Sequence, residues 1–332
     1  MVENVEKQTP GAGRRVTAAD IARAAGVSRA TVGFVLNDTP GQTISEATRR
    51  RVLDEAERQG YRPHSAARAL ASGSSRIVLV VLPDWPMGFS MRTTLEAASL
   101  ALQEQGRTLV SHTPPRHAAA RPLWEVLDPE AVLGFVPFTD EQARSLRASG
   151  VRRVLPEPGE PLPGFLADLA EGPRLQVEHL VGRGHRRLAF AAPGEERVRS
   201  LAEQRARTAA EHAVRLGLEP PQVHTLRTEN VADTVHTWHR SGITGVVAYN
   251  DDTAALAVGT ALRAGLRVPE DLAVIGHDDS PIASLFVPSL STVHLDGEAL
   301  GRHLAGITLQ ALGGGPAPEP SSTTSLVARE SS

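Results

Sequence analysis

Five side chains able to accept hydrogen bonds stand directly after short β-branched runs: Asp84 after "RIVLVVLP", Asn250 and Asp251 closing "GVVAYND", and Asp278 and Asp279 closing "LAVIGHDD". Residues that follow a buried parallel strand lie at the carboxyl edge of its sheet, which is where open α/β sheets bind ligands. Carboxylate and amide oxygens at that edge accept from hydroxyl groups. Two other uses compete for them. Asp251 precedes the helical pattern Thr253 to Ala264, and the reading taken for it is a helix cap. Asp278 and Asp279 could share a cation, but no third ligand lies close by, so no metal is assigned. His185, in "GRGHRR", reads as a turn or surface residue, and none of the 12 histidines forms an H-x-x-x-H pair of the zinc-protease type.

Much chemistry is excluded outright. The chain has no cysteine, hence no disulfide framework, no thiolate nucleophile and no cysteine-based metal site. Lys7 is the one lysine, so the folded part holds neither a phosphate-loop lysine nor a Schiff-base lysine. There is no G-x-S-x-G, and no G-x-G-x-x-G opens a helix. An enzyme is not expected, and no cofactor is implied.

From Arg76 onward, "RIVLVVLP", "VLGFVPF", "RRLAFAAP", "GVVAYND" and "LAVIGHDD" read as buried parallel strands. Helical stretches lie between them, at Thr93 to Gln105, Arg199 to Leu216 and Thr253 to Ala264. This repeated β-α-β pattern gives the fold class α/β, with doubly wound parallel sheets.

A different pattern precedes it. Thr17 and Asp20 form a capping box that opens a helix with Ile21, Ala22 and Ala25 on its apolar side. Gly26 ends that helix and Ser28 caps a second, in which Val32, Val35 and Leu36 recur at the spacing of one buried stripe. Ser45 caps a third helix, with Val52, Leu53 and Ala56 inward and Arg49 to Arg51 in its early turns. The result is a small all-α helix-turn-helix head whose second helix can present its outer face to the major groove. At 100° per residue, Ala30, Phe34 and Asn37 fall opposite the stripe, flanked by Arg29 and Gly33. A lone phenylalanine ordinarily packs on a neighbouring helix. Here the opposite face already supplies the core, so Phe34 is expected to point out.

Charge follows the same division. Residues 1–71 carry eleven Lys/Arg and eight Asp/Glu, net +3, and the remainder carries net −6. A basic head on an acidic body suits contact with a polyanion through the head alone. The longest apolar run, Ile77 to Leu82, is far short of the roughly 20 residues that cross a bilayer. With a polar N-terminus and no cysteine, a cytoplasmic protein without a membrane partner is expected.

The run "VTAADIARAAGVSRATVGFVLND…ISEATRRRVLDEAERQGYRPHSAARALASG" resembles the DNA-binding head and hinge helix of the LacI/GalR family of bacterial transcription regulators. The resemblance implies that the second helix lies in the major groove, where Arg29 and Ala30 match base-reading positions and Ser28 and Thr31 match phosphate contacts. Thr17 and Asn37 complete the DNA-facing set of that head. Paired hinge helices would enter the minor groove, with Leu70 wedged between base pairs and Ala67 as its close-packed neighbour. Where the family commonly reads "TVSRVLN", this chain reads "TVGFVLN", so Gly33 and Phe34 replace a serine and an arginine. An apolar ring at that place can meet a thymine methyl or a sugar edge instead of a guanine.

The segments "EHLVGRGHRRLAF", "YNDDTAALAVGTALRAGLRVPEDLAVIGHDDSPIASLFVPSLSTV" and "LVARESS" resemble the family's effector domain, which shares a two-lobed fold with periplasmic sugar-binding proteins. The implied ligand site lies in the cleft between the lobes. By position it takes Arg199, Asn250 and Asp278 from the C-terminal lobe and Asp84 from the other, a set suited to a polyol. Here too the chain departs from the family. "WPMGFS" replaces the usual "NPFF", Ala202 stands for a usual glycine three residues after Arg199, and His277 stands for a common aromatic.

The expected organisation is a disordered tail (1–15), a helix-turn-helix domain (16–62), a hinge helix and linker (63–75) and a two-lobed, periplasmic-binding-protein-like effector and dimerisation body (76–332). The expected function is a homodimeric repressor of a pseudo-palindromic double-stranded DNA operator, controlled by a small-molecule effector, a sugar by resemblance. A dimer follows because one short alanine-rich hinge helix cannot hold itself folded and two heads read two half-sites. With Ser332 directly after the last predicted strand, no heptad segment is expected to join dimers into a tetramer. The body alone would also suit a solute-binding receptor without a gene-regulatory role. The basic head and the lack of an export signal argue against that alternative.

Overall fold

The structure, a computed structural model, describes residues 16–36, 41–61, 75–114, 121–157, 160, 171–314 and 324–332. The chain divides into two compact units, Met1–Ser75 and Arg76–Ser332.

In the first unit, α1 (Ala18–Ala25) begins at the expected capping box: Thr17 Oγ1 accepts from the Asp20 amide, and the Thr17 amide donates to Asp20 at 2.9 Å. Gly26 closes it at φ 65°, a left-handed conformation in which a side chain would be strained. Ser28 then starts α2 (Arg29–Leu36), its Oγ accepting from the Thr31 amide at 3.0 Å, and Ser45 caps α3 (Glu46–Arg58). Ile21, Ala22, Ala25, Val32, Val35, Val52 and Ala56 form the core, with Leu36, Ile44 and Tyr61 packed around it. Leu53, expected inward, is 46% exposed. The buried stripe of α3 is only as wide as Val52 and Ala56, and the 100° step from Val52 carries Leu53 out of it.

The second unit holds two parallel four-stranded sheets. The N-terminal lobe runs β1 (Ile77–Val81), α4 (Phe89–Glu104), β2 (Thr108–His112), α5 (Leu123–Leu127), β3 (Ala131–Gly134), α6 (Asp140–Ala148) and β4 (Arg153–Leu155), in strand order β2-β1-β3-β4. The C-terminal lobe runs α7 (Glu171–Gly182), β5 (Leu188–Pro193), a 3₁₀ turn (Glu196–Val198), α8 (Arg199–Arg215), β6 (Gln222–Leu226), α9 (Val231–Arg240), β7 (Gly245–Ala248), α10 (Asp251–Arg263), β8 (Ala273–Ile275) and α11 (Pro281–Leu285). Its strand order, β6-β5-β7-β8, has the same topology. Each sheet is covered on both faces, which is why its central strands read as unbroken apolar runs.

After β9 (Thr292–Leu295) the chain returns to the first lobe as α12 (Gly297–Ala311), whose Leu300, Leu304 and Ala305 enter the core beside Val78, Leu95 and Leu102. β10 (Thr324–Val327) pairs antiparallel with β9, and the last residues rejoin the C-terminal lobe, where Ser331 accepts from the Val274 amide at 2.8 Å. The chain thus passes between the lobes more than once, and α12 packs in the N-terminal lobe.

α12 crosses α4 at a glycine. A Cβ built on Gly301 would lie 2.3 Å from the Thr94 carbonyl oxygen and 2.7 Å from the Ala97 methyl. Alanine is the better helix former by about 1 kcal/mol, but the backbone of α4 cannot yield. Gly301→Ala is therefore expected to destabilise the body by about 1–3 kcal/mol, against helix propensity, as read by denaturant unfolding.

Candidate functional site

The carboxyl ends of β5, β7 and β8 bring three segments of the C-terminal lobe together. Asp278, after β8, has φ 98°, a conformation that costs an L-residue on the order of 1–3 kcal/mol. Its amide is held by the Val293 carbonyl at 2.8 Å. Its carboxylate accepts from His277 Nδ1 at 2.7 Å and faces the Arg205 guanidinium at 3.6 Å. Burial alone would raise the Asp278 carboxyl, but His277 and Arg205 outweigh it and hold the group below the usual carboxylate range. His277 is fully buried. Burial, helped by Arg205, pushes its imidazole below the usual value, so the neutral ring donates its Nδ1 proton to Asp278. Its Nε2 has no partner among the described residues and abuts Gly172 of α7, where an added Cβ would come within 2.0 Å.

Arg205 sits in α8 at 7% exposure. It donates to the Tyr249 carbonyl at 2.6 Å, and its guanidinium carbon lies 4.7 Å from the centre of the Tyr249 ring. Sequence reasoning assigned this role to Arg199. The structure places Arg199 at the exposed start of α8, paired with Glu196 and lining a groove with Pro193 and Gly194 at the carboxyl end of β5 and with Glu203 and Val223. Six residues along a helix is a rotation of about 240°, so the two arginines face different surroundings. Arg205 had a signal of its own: it interrupts the buried stripe Ala202, Ala206, Ala209, Ala213, and a charge on a buried helix face requires a partner.

Asn250 follows β7 at this edge, but its Oδ1 accepts from the Thr253 amide at 2.9 Å and the Thr253 hydroxyl at 2.7 Å. Asn250, not Asp251, therefore caps α10. Its amide NH₂ remains the group it can offer a ligand. Asp251 lies one residue inside the helix and points into the protein, accepting from the Ser280 amide (2.7 Å), the Ser280 hydroxyl (2.9 Å) and the Thr292 hydroxyl (2.5 Å). It ties α10 to the loop after Asp278 and to β9. Asp279 accepts from Arg329 at 2.6 Å and lies 3.1 Å from His294 Nδ1. Among the described residues no group of three or more metal-ligating side chains occurs.

Across the cleft, Asp84 stands at the carboxyl edge of the first sheet, 3.5 Å from Arg197 of the C-terminal lobe. Trp85 packs against the C-terminal-lobe cluster that includes Val198 and Tyr249, and Ser90 Oγ lies 3.5 Å from the Asp278 carbonyl oxygen. The structure thus brings Asp84, Asn250 and Asp278 to facing sheet edges, with Arg205 beside Asp278.

In the head, Ser28, Arg29 and Ala30 are exposed, while Thr31, Gly33 and Phe34 are half-exposed. Phe34 takes no part in the head's core. Thr17 is occupied in capping α1. Asn37, Ala67 and Leu70 lie outside the described residues.

Residues 17–64 match the family described as bacterial regulatory proteins, lacI family, and residues 177–332 match the periplasmic binding protein-like domain. The chain is 30% identical to the HTH-type transcriptional regulator GntR of Pseudomonas aeruginosa, over 93% of this chain and 92% of that one. The chain belongs to the LacI family. The HTH-type regulator MalR of Streptomyces coelicolor is 31% identical over 90% of this chain and 91% of its own length. Among solved structures, the lac repressor dimer bound to operator and the anti-inducer ONPF aligns with a TM-score of 0.75 at 23% identity, covering 96% of this chain and 99% of that one. The CelR–cellobiose complex aligns at 0.61 and 24%, covering 96% and 100%. These likenesses establish the same fold. As a LacI-family protein, the chain is a DNA-binding transcription regulator whose helical head precedes a two-lobed α/β body. Its relatives are regulators, not enzymes, and a receptor without a regulatory role finds no support in them. No helix among the described residues is long and apolar enough to cross a membrane.

Burial raises the Asp251 carboxyl from 3.8 to about 6, against the opposing pull of Thr292 and Ser280. Between about pH 4 and pH 6 the native chain keeps a proton that the unfolded chain has released, so stability falls as pH rises through this window. The total is on the order of 3 kcal/mol. Denaturant unfolding across that range is expected to show this component in the wild type and not in Asp251→Asn. Identical pH slopes would refute it.

Proposed function

We propose that this LacI-family protein is a homodimeric cytoplasmic repressor, that α2 of each head reads one half-site of a pseudo-palindromic operator in the major groove, and that a sugar bound between the lobes sets operator affinity. The observation that carries the effector half is the Arg205–Asp278–His277 constellation at the cleft. It pairs a carboxylate acceptor, fixed in direction by His277, with a guanidinium already neutralised by that carboxylate. A site without a strong excess of charge suits a neutral polyhydroxyl compound, whose hydroxyls donate to Asp278 and accept from Asn250. The cellobiose in the CelR complex is in keeping with this choice.

Support for a homodimer comes from one corner of the C-terminal lobe, where Leu285 and Val287 are 78% and 82% exposed, with Ile282 and Leu262 also exposed. Apolar side chains grouped at a surface mark interfaces. For the head, exposed Ala30 on α2, opposite buried Val32 and Val35 and flanked by exposed Arg29, supports the reading face.

Ligand closure would act as a population shift between dimers that hold their heads at operator spacing and dimers that do not. Genomic fragments captured by the purified protein would supply the operator, and a thermal-shift panel of sugars would supply the effector. Asp278→Ala is then expected to weaken effector binding at least tenfold and abolish its influence on DNA, with operator affinity in the absence of effector unchanged. An intact response in that variant would remove Asp278 from the site.

The hinge reading of residues 63–75, with Leu70 as wedge and Ala67 as neighbour, rests on the sequence resemblance. Leu70→Ala is expected to weaken operator binding more than tenfold while effector affinity stays constant. Unchanged operator affinity by fluorescence anisotropy would exclude the wedge.

A further inference from the structure

We propose that Gly33 and Phe34 form a methyl-reading surface on α2 that specifies thymine at one position of each operator half-site. The inference rests on the major-groove reading of α2 given above. The C5 methyl of that thymine would pack on the Phe34 ring, over backbone left bare by Gly33.

Among the described residues of the head, nothing explains either one. A Cβ built on Gly33 meets nothing within 4 Å, unlike Gly301 or Gly172, which close packing holds as glycine. Gly33 therefore weakens α2 without relieving any clash inside the head. Phe34 is half-exposed and absent from a core that is complete with Val32 and Val35 from the same helix. A helical side chain leans toward the preceding turn, which for Phe34 is the turn of Ala30, another exposed apolar residue. Ala30 and Phe34 thus make one apolar strip, with the bare backbone of Gly33 at its edge.

The polar groups near this strip are largely committed. Ser28 Oγ accepts from the Thr31 amide at 3.0 Å and lies 2.8 Å from Thr31 Oγ1. Arg29 flanks the strip at the exposed start of α2 as the long cationic donor, suited to a guanine edge. In the major groove the one apolar feature that distinguishes base pairs is the thymine methyl.

The test uses the full chain and a pool of random double-stranded DNA. The wild type is expected to select a palindromic site with thymine at one position of each half. Replacing that thymine by uracil, which removes only the methyl, is expected to weaken binding about fourfold per half-site, or about fifteenfold for both. Phe34→Ala should bind the thymine and uracil sites equally. Because Phe34 lies outside the core, this variant should keep the wild-type melting temperature. Gly33→Ala should melt higher than wild type yet bind the thymine site less tightly, a combination that a structural role for Gly33 would not produce. Equal wild-type affinity for thymine and uracil, or the same ratio in Phe34→Ala, overturns the inference and leaves the regulator reading standing. Failure to select any palindromic site would overturn that reading, and this inference with it.

Discussion

One buried side chain holds the candidate ligand edge together. Gln176 of α7, 1% exposed, directs its amide nitrogen to the carbonyls of Ala248 (2.8 Å), Ile275 (3.2 Å) and Gly276 (2.7 Å). These are the carbonyls at which β7 and β8 end, and a buried carbonyl without a partner costs on the order of 1–3 kcal/mol. By satisfying them the amide fixes where both strands stop, and therefore where Asn250 and His277 begin. Gly172 lies four residues earlier on the same helix and leaves the space into which the His277 ring fits. A single face of α7 thus sets both the ends of the strands and the side chain that aims Asp278.

The charges at that edge are arranged for direction more than for stability. A buried ion pair roughly repays its own desolvation and is seldom a net source of folding energy. Arg205 is committed to the Tyr249 carbonyl and ring as well as to Asp278, so its guanidinium cannot swing away. Asp278 is fixed through its backbone by Val293 and through its carboxylate by His277. Such groups pay their reorganisation cost during folding, which leaves less to be lost when a ligand arrives. Asp251 extends the same rigidity to β9, which runs on into the helix packed in the other lobe. Asp251 thereby links β9 to Ser280, two residues after Asp278.

The legible parts of the sequence were those in which one local rule acts alone. The capping box at Thr17, the serine starts of α2 and α3 and the stripe of Val32 and Val35 all agree with the head's structure. The central strands β1, β5 and β7 were readable because burial on both faces leaves them nearly all apolar. Edge strands β2 and β6 were not, since their exposed positions carry polar residues as a loop would. Local pattern was silent where two residues competed for one role. Asn250 and Asp251 are both good caps, and only the pocket made by Ser280 and Thr292 decides which of them turns inward. Arg199 and Arg205 lie on one helix, and that it is Arg205 which meets Asp278 depends on a partner more than seventy residues later. Local pattern cannot resolve choices that a distant contact makes.

The same comparison indicates where function resides. In most of the chain each residue choice is repaid within the fold: Gly301 admits α4, Gly172 admits His277, and Gly26 turns the chain between helices. A few choices are not repaid that way. Asp278 holds a left-handed backbone, Arg205 places a charge in an alanine stripe, and Gly33 with Phe34 weakens and exposes a helix whose core is already complete. Consistency between local preference and global structure is the rule in natural proteins, and departures from it collect at functional surfaces. Here they fall in two places, the outer face of α2 and the edge beyond β8. Those are the two surfaces on which the proposed function rests, one for DNA and one for an effector.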